Sequence, residues 1–421
     1  MRSLSTAGPS TDHYRLLGHP TDLEGHLRAL GPLALPTGRD EEWAAWLLGE
    51  LERSGLTGRG GAAFPTAIKL MAARTGGGRG IVVVNGMEGE PASDKDKVLL
   101  TRVPHLVLDG AQALAAACGA ARVVIAVPVG RDAVADVVRR TVAERAATSC
   151  APIAETLVRP PDRFVAGEES ALTGWIGAGK SRPTFRPDKG VPLRIGTRPV
   201  LVHNAETLAH VALIARGAAE AFRAIGLAEE PGTTLVTVSG AVERPGVVEI
   251  ERGTPLSDVV ARSVPAAPMA ALLVGGYGGT WVGPAQFGVP YASISLRTIG
   301  ASAGVGVIVV LGAETCGIAE TTHMARYLAG QSSGQCGPCV HGLPAIAEDM
   351  THLAQGRADP DLWRRLERRL DQVEGGGACR HPDGAVGLVR SALSVFADDV
   401  AAHRRGEPCA HWNAPTRLRF P

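Results

Sequence analysis

The chain has 421 residues, with 43 Lys+Arg against 42 Asp+Glu. A formal charge of +1 offers no basic excess for nucleic acid or an anionic membrane surface. With 45% hydrophobic and 20% charged residues the chain is no disordered polymer, and at about 150 residues per domain it holds two or three domains.

Residues 1–40 are punctuated by Gly and Pro and read as a loosely packed lead-in. Met1 to Leu17 has no apolar run of the signal-peptide kind. The most apolar stretches, Val123 to Val129 and Val305 to Leu311, fall far short of the ~20 residues of a membrane helix, so no membrane insertion is expected. Residues 41–228 alternate helical and strand-like runs. Ile81 to Val84 and Val123 to Val127 read as buried parallel strands, and Val107 to Ala117 between them reads as a helix. This is an α/β domain. Residues 229–305 follow a Glu-Glu-Pro-Gly linker and read as a small β module. It has a hairpin (Thr234 to Ser239 with Gly246 to Ile250), a short helix (Pro255 to Ala261) and a Gly-rich strand region (Ala271 to Thr280).

Residues 306–404 begin with one more strand, Gly306 to Leu311, and then turn helical. Apolar stripes at 343/346/350/353, 362/366/370/373 and 386/389/393/396/400 predict three amphipathic helices. With a helix over 319–329 they make an antiparallel bundle. Residues 405–421 form a polar tail.

Four stretches of the α/β domain carry chemistry. Gly58, Gly60 and Gly61 leave backbone N–H groups open to a flat ring or a phosphate, with Arg59 and Lys69 as cations beside them. Lys is informative here, since only five occur in the chain. A Gly-rich turn before a helix opened by Pro65 is the plainer reading of the same loop. Asn85, Glu88 and Glu90 come directly off the first strand, where α/β sheets bind ligands. Glu168 and Glu169 precede an apolar helix and suit its positive end. Asn204 or Thr207 would cap a helix or meet a phosphate there.

In this order the stretches resemble the flavin-binding (51-kDa, NADH-oxidising) subunit family of respiratory complex I. Its relatives include the flavoprotein subunits of soluble hydrogenases and formate dehydrogenases and the C subunit of the Rnf complex. The resemblance runs from about residue 50 to 404. It implies a Rossmann-like FMN-binding domain, a soluble-ligand-binding β-grasp domain and a helical bundle with a [4Fe–4S] cluster. It implies that Gly58, Gly60, Lys69, Asn85, Glu88, Gly167, Glu168, Asn204 and Thr207 contact FMN. Phe64 and Glu90 would help hold NADH, and Glu169 would lie at the flavin–nicotinamide contact, with Lys69 stabilising charge on the reduced flavin or its phosphate. The implied activity is an FMN-dependent NADH (or NADPH) oxidoreductase feeding a ferredoxin-like or membrane-bound redox partner. Three positions depart from the family: Ala63 replaces Gly, Leu70 an aromatic residue and Met87 an Asp. Met87 and Leu70, with Ser333 in the cysteine motif, motivate a rival reading, an electron-relay or scaffold subunit that no longer binds NADH, and Leu70 would weaken the hold on adenine.

Seven Cys, three of them in a C-x2-C-plus-one pattern, point to a reducing, cytoplasmic setting and to metal or cluster ligation. Cys336, Cys339 and Cys379 match the family's cluster motif, but its first Cys is Ser333 here. Either Ser333 or Cys316 could complete the set, the cluster could be [3Fe–4S] or absent, and zinc is a further option. Cys118 and Cys150 read as apolar fillers and Cys409 as incidental.

Overall fold

The computed structural model describes residues 15–36, 38, 40–77, 79–186, 191–357, 359–416 and 418–420. The first part of the lead-in, residues 1–14, lies outside them; the described remainder is packed rather than loose, with Leu16 and His26 buried. The first unit contains α1 (Leu23–Leu30), α2 (Glu41–Ser54), α3 (Thr66–Thr75), β1 (Ile81–Asn85), α4 (Lys95–Arg102), α5 (Pro104–Cys118), β2 (Arg122–Ala126), α6 (Asp132–Ala146), β3 (Glu155–Val158), α7 (Glu169–Ala178), β4 (Leu193–Ile195), β5 (Arg198–Asn204) and α8 (Ala205–Arg223).

The strand order is β3-β2-β1-β5-β4. β1 pairs parallel with both β2 and β5. The chain thus steps outward through β2 and β3, then returns to the other side of β1. That reversal is the topological switch point at which open α/β sheets bind ligands. Asn85 and Asn204 are register partners there, at the carboxyl ends of their strands. The β-branched run of β1 is explained by burial on both faces: Val82 and Val84 pack with α5 and α8, while Ile81 and Val83 meet Ala166 and Leu172.

α5 and α8 cross closely at Gly110, where an added Cβ would lie 1.8 Å from Leu208 O. The Asp109 carboxylate beside it is buried and fully engaged. It accepts from His26 Nε2 at 2.8 Å and Arg145 Nη1 at 2.9 Å, and it pairs with Arg216. These partners lower its pKa against the effect of burial, the larger single influence. The network ties α1, α6 and α8 to α5.

The second unit holds β6 (Thr233–Gly240), β7 (Gly246–Glu251), α9 (Leu256–Ala261), β8 (Met269–Val274), β9 (Thr280–Val282), α10 (Ser293–Thr298) and β10 (Val307–Gly312), with strand order β7-β6-β10-β8-β9. The expected hairpin is β6–β7. β10 corrects the boundary expected at 305/306. It is the central strand, parallel to β6 and antiparallel to β8, so this unit extends through Gly312. Its unbroken apolar run serves two cores. Ile308 and Val310 face the module's own interior, while Val307, Val309 and Leu311 face the helical bundle.

The bundle comprises α11 (Gly317–Gly330), α12 (Leu343–Ala354), α13 (Leu362–Val373), α14 (His381–Val395) and α15 (Ala397–Arg404). The stripe from 386 to 400 is divided: the chain leaves helical geometry at Phe396 (φ −106°, ψ 37°), where the ring packs edge-on to Trp281. No helix among the described residues is long and apolar enough to cross a membrane.

Candidate functional site

The switch point is built from four segments. Asn85 Nδ2 donates to Gly167 O at 2.8 Å, joining the end of β1 to the turn before α7. Asn204 Oδ1 accepts from Thr207 N at 3.0 Å and so caps α8. Thr207 Oγ1 in turn accepts from Arg59 N at 2.9 Å, which pins the Gly-rich loop over the same helix end. That loop is closed at its neck by Gly58 N to Phe64 O, 2.9 Å, with Phe64 half-buried and Gly60 to Ala63 exposed. Ala63, one of the departures noted above, holds φ +48°, a conformation that favours Gly.

Lys69 reaches across from α3. Its Nζ pairs with Glu169 and donates to Val202 O at 3.3 Å. Arg186 Nη1 stands 4.0 Å from Glu169 Oε2, a cation that nothing in the sequence singled out because the contact spans a long loop. Glu168 caps α7, accepting from Ser170 N at 2.9 Å and Ala171 N at 3.1 Å. His203, beside Lys69, is kept neutral: burial, aided by the Lys69 charge, pushes it well below its ordinary value. Gly58, Gly60, Gly61, Phe64, Lys69, Asn85, Gly167, Glu168, Glu169, Asn204 and Thr207 therefore belong to contiguous segments around the β1/β5 ends.

Three expected contacts are differently placed. The Arg59 guanidinium turns away from the loop toward the carbonyls of Pro231 (3.5 Å) and Thr233 (3.4 Å), so only its backbone faces the site. Burial there pushes it down to about 10. Glu88, at φ +39°, spends its carboxylate on Ser93 Oγ and on the N–H groups of Asp96 and Lys97 that open α4. Glu90 is buried and accepts from Ala92 N (3.2 Å) and Tyr277 N (2.9 Å), binding the first unit to the second rather than standing free for a ligand. Burial pushes both carboxyls up to about 7. Leu70 and Met87 are both buried; Leu70 of α3 packs in the core, whereas Met87 lies against Gly167 and its N–H donates to Asn85 Oδ1 at 3.3 Å.

Between Asn204 and Thr207 lies a further residue without an expected role. Glu206 accepts from Thr234 Oγ1 at 2.8 Å and Leu235 N at 2.9 Å and pairs with Lys95 at 3.0 Å. It joins α8, α4 and β6 behind the site.

Cys336 and Cys339 lie within hydrogen-bonding reach of each other, and Cys379 interacts electrostatically with both. Cys339 sits in a π turn, Pro338–Gly342, a departure from α-helix that recurs at functional sites. Burial alone would raise the Cys336 thiol, but the N–H groups of Ala378 and Cys339 bring it below its ordinary value. The segment leading into Cys336 adjoins the α7 side of the switch-point site: Phe164 N donates to Gln331 Oε1 at 3.3 Å and Gln335 Nε2 to Pro183 O at 2.5 Å. Phe164 bridges the two, its ring 5.3 Å from that of His381.

Cys316 is not the missing ligand. It caps the N-terminus of α11, while the Cys336 loop follows the other end of that 14-residue helix, on the order of 20 Å away at 1.5 Å per residue. Its thiol instead lies 3.7 Å from His403 Nε2, with the Cys409 thiol within 4.8 Å of both.

Both sites fit the groups the resemblance implies. Asn204 Nδ2 is buried without a protein partner and lies beneath Gly60, where an added Cβ would stand 3.7 Å away, at ordinary contact. An orphaned amide under an open backbone loop suits a polar ring or phosphate edge. Ser333 Oγ is likewise buried and unpartnered, in the loop that leads to Cys336 and Cys339, thiols of the type that hold iron.

Comparison with known proteins agrees. Residues 51–213 match the Nuo51 FMN-binding domain, 235–263 the SLBB domain and 319–403 the NADH-ubiquinone oxidoreductase-F iron-sulfur binding region. The F chain of the Escherichia coli NADH-quinone oxidoreductase is 27% identical over 375 residues, 85% of this chain and 84% of the relative. The mitochondrial NADH dehydrogenase [ubiquinone] flavoprotein 1 of Dictyostelium discoideum is 28% identical over 385 residues, 84% and 78% of the two chains. A solved structure of an NAD+-reducing [NiFe]-hydrogenase in the H2-reduced state superposes with a TM-score of 0.81 at 31% identity. That match covers 88% of this chain, which spans only 64% of the hydrogenase chain. With the switch-point site, the SLBB module and the cysteine-bearing bundle in one order, the chain belongs to the 51-kDa flavoprotein subunit family, the FMN- and iron–sulfur-binding subunits of NADH dehydrogenases.

Proposed function

We propose that this chain oxidises NADH with FMN held at the paired ends of β1 and β5, and passes electrons through an iron–sulfur cluster at Cys336, Cys339 and Cys379 to a separate redox protein. When bound, FMN supplies a ring that accepts a hydride and releases electrons singly, and the cluster supplies a one-electron carrier. The protein's own part is positioning and electrostatics. The α8 N-terminus, capped by Asn204, offers positive potential to an anionic group, and the free Asn204 amide offers a donor. Lys69, held by Glu169 and Val202 O, keeps a cation at the β5 end of the site, where negative charge would gather. His203 stays neutral beside it and adds no competing charge.

The observation that supports this reading is the packing of the turn before α7 on the cysteine-bearing bundle, where Phe164 N donates to Gln331 Oε1 at 3.3 Å and the Phe164 ring lies 5.3 Å from that of His381, two residues past Cys379. A ferredoxin-like or membrane-bound redox partner is the acceptor this arrangement calls for. All seven cysteines are unpaired, in keeping with a reducing cytoplasmic location. Anaerobic addition of NADH to the purified holoprotein tests the proposal. Flavin absorbance is expected to bleach with turnover. Flavin that stays oxidised in NADH yet bleaches with dithionite would instead identify a relay that does not bind NADH.

A further inference from the structure

We infer that Cys316, His403 and Cys409 form a second metal site, one that takes a single zinc ion and fastens the C-terminal tail to the helical bundle. The three ligand atoms lie within 4.8 Å of one another. Cys316 Sγ is 3.7 Å from His403 Nε2. Tetrahedral zinc, with Zn–S near 2.3 Å and Zn–N near 2.0–2.1 Å, requires a sulfur–nitrogen separation of about 3.6 Å. Cys316 and His403 therefore already stand at coordination distance, with the Cys409 sulfur within 4.8 Å of both.

The histidine is oriented as metal-bound imidazoles are. His403 is buried, and its Nδ1 lies 3.2 Å from Leu353 O and 3.0 Å from Ala354 O, carbonyls of the last turn of α12. Only a protonated nitrogen is accommodated between two acceptors, so Nδ1 carries the hydrogen and the Nε2 lone pair faces the two sulfurs. At present that lone pair accepts from Cys409 N at 3.2 Å, a bond that metal loading would give up. Cys316 Sγ accepts from Ala319 N at 3.4 Å at the start of α11, a bond outweighed by burial, which pushes the free thiol up to about 12. Two thiolates and a neutral imidazole balance a divalent ion. Loading releases one proton from each thiol to solvent and changes no oxidation state. Cys409 is half-exposed, which leaves the fourth position to water.

The mixed sulfur–nitrogen set, closed on one side by α11, α12 and α15, suits zinc better than an iron cube, which needs three or four thiolates. Beyond Cys409 the tail crosses the molecule. Thr416 Oγ1 donates to Glu320 Oε2 at 2.6 Å, Arg419 O accepts from Tyr277 at 2.5 Å, and Arg419 Nη1 pairs with Asp94 at 2.6 Å. The metal would anchor the root of this belt.

The test uses the full chain purified anaerobically from zinc-supplemented medium and passed over a chelating resin. Metal analysis and zinc K-edge absorption are compared for the wild type, Cys409→Ala and Cys336→Ala. About one zinc per chain is expected in the wild type and in Cys336→Ala, with two sulfurs and at least one nitrogen around it. Zinc is expected to fall below about 0.1 per chain in Cys409→Ala, its iron unchanged. Hydrogen exchange over residues 405–416 is expected to rise about tenfold or more in that variant. Zinc absent from the wild type, zinc retained in Cys409→Ala, or a Cys316–Cys409 disulfide in the freshly isolated chain would overturn the proposal.

Discussion

Ser333 stands where the family's motif has a cysteine, and its buried hydroxyl has no partner in the protein. A hydroxyl is a far weaker iron ligand than a thiolate. Ser333→Cys is therefore expected to raise iron toward four per chain and to slow cluster loss on air exposure, read by iron analysis and by the decay of visible absorbance. Unchanged iron and decay would show that position 333 does not face the metal. Asn85 and Asn204 are legible in the sequence because each ends a hydrophobic run, where a parallel strand must release its chain. Arg59, Glu90 and Leu70 are not. The type of a residue says what it can bind, but its direction depends on partners more than 100 positions away, such as Thr233 for Arg59 and Tyr277 for Glu90. His403 carries no signal at all, since its ligand neighbour Cys316 belongs to the opposite end of the bundle sequence.

At the scale of elements, α5 and α8 meet backbone to backbone. A methyl at Gly110 would sit 1.8 Å from Leu208 O, with no flexible side chain to give way. Gly110→Ala is expected to cost about 3 kcal/mol or more. Gly387→Ala in α14, where nothing lies within 4 Å of the added carbon, is expected to be neutral or to stabilise by about 0.5–1 kcal/mol. Thermal or denaturant midpoints of the two variants measure the contrast, and equal shifts would contradict it. Helices with a single apolar stripe, such as α12 and α13, are readable because a period near 3.6 survives in any context. β10 escapes assignment to its proper unit for the opposite reason. Buried on both faces, it has no alternation, and nothing local shows whether its neighbours are strands or helices.

Across the whole molecule, Glu90 is the hinge pin between the first unit and the second, and its carboxyl is pushed by burial from 4.5 up to about 7. A raised carboxyl favours the folded state while protonated. That contribution is complete below about pH 4.5 and is lost as pH rises through about 7, a change on the order of 3 kcal/mol. Glu90→Gln cannot ionise. The variant is expected to lose up to that much less stability than the wild type between pH 5 and pH 8, measured by denaturant titration at the two values. Parallel pH slopes would rule out Glu90 as the titrating group. The layering of three units is apparent from composition shifts, but the bonds that unite them, at Glu90, Glu206 and the tail, join residues too distant in sequence for any local pattern to announce. The pairing of β1 with β5 has a consequence for synthesis. The β1 edge is translated more than a hundred residues before Arg198 to Asn204 can cover it. At roughly 5–20 residues per second the nascent chain carries that bare hydrophobic edge for on the order of ten seconds. Early chaperone engagement, or slow translation only after residue 204, would guard the strand against pairing with another chain.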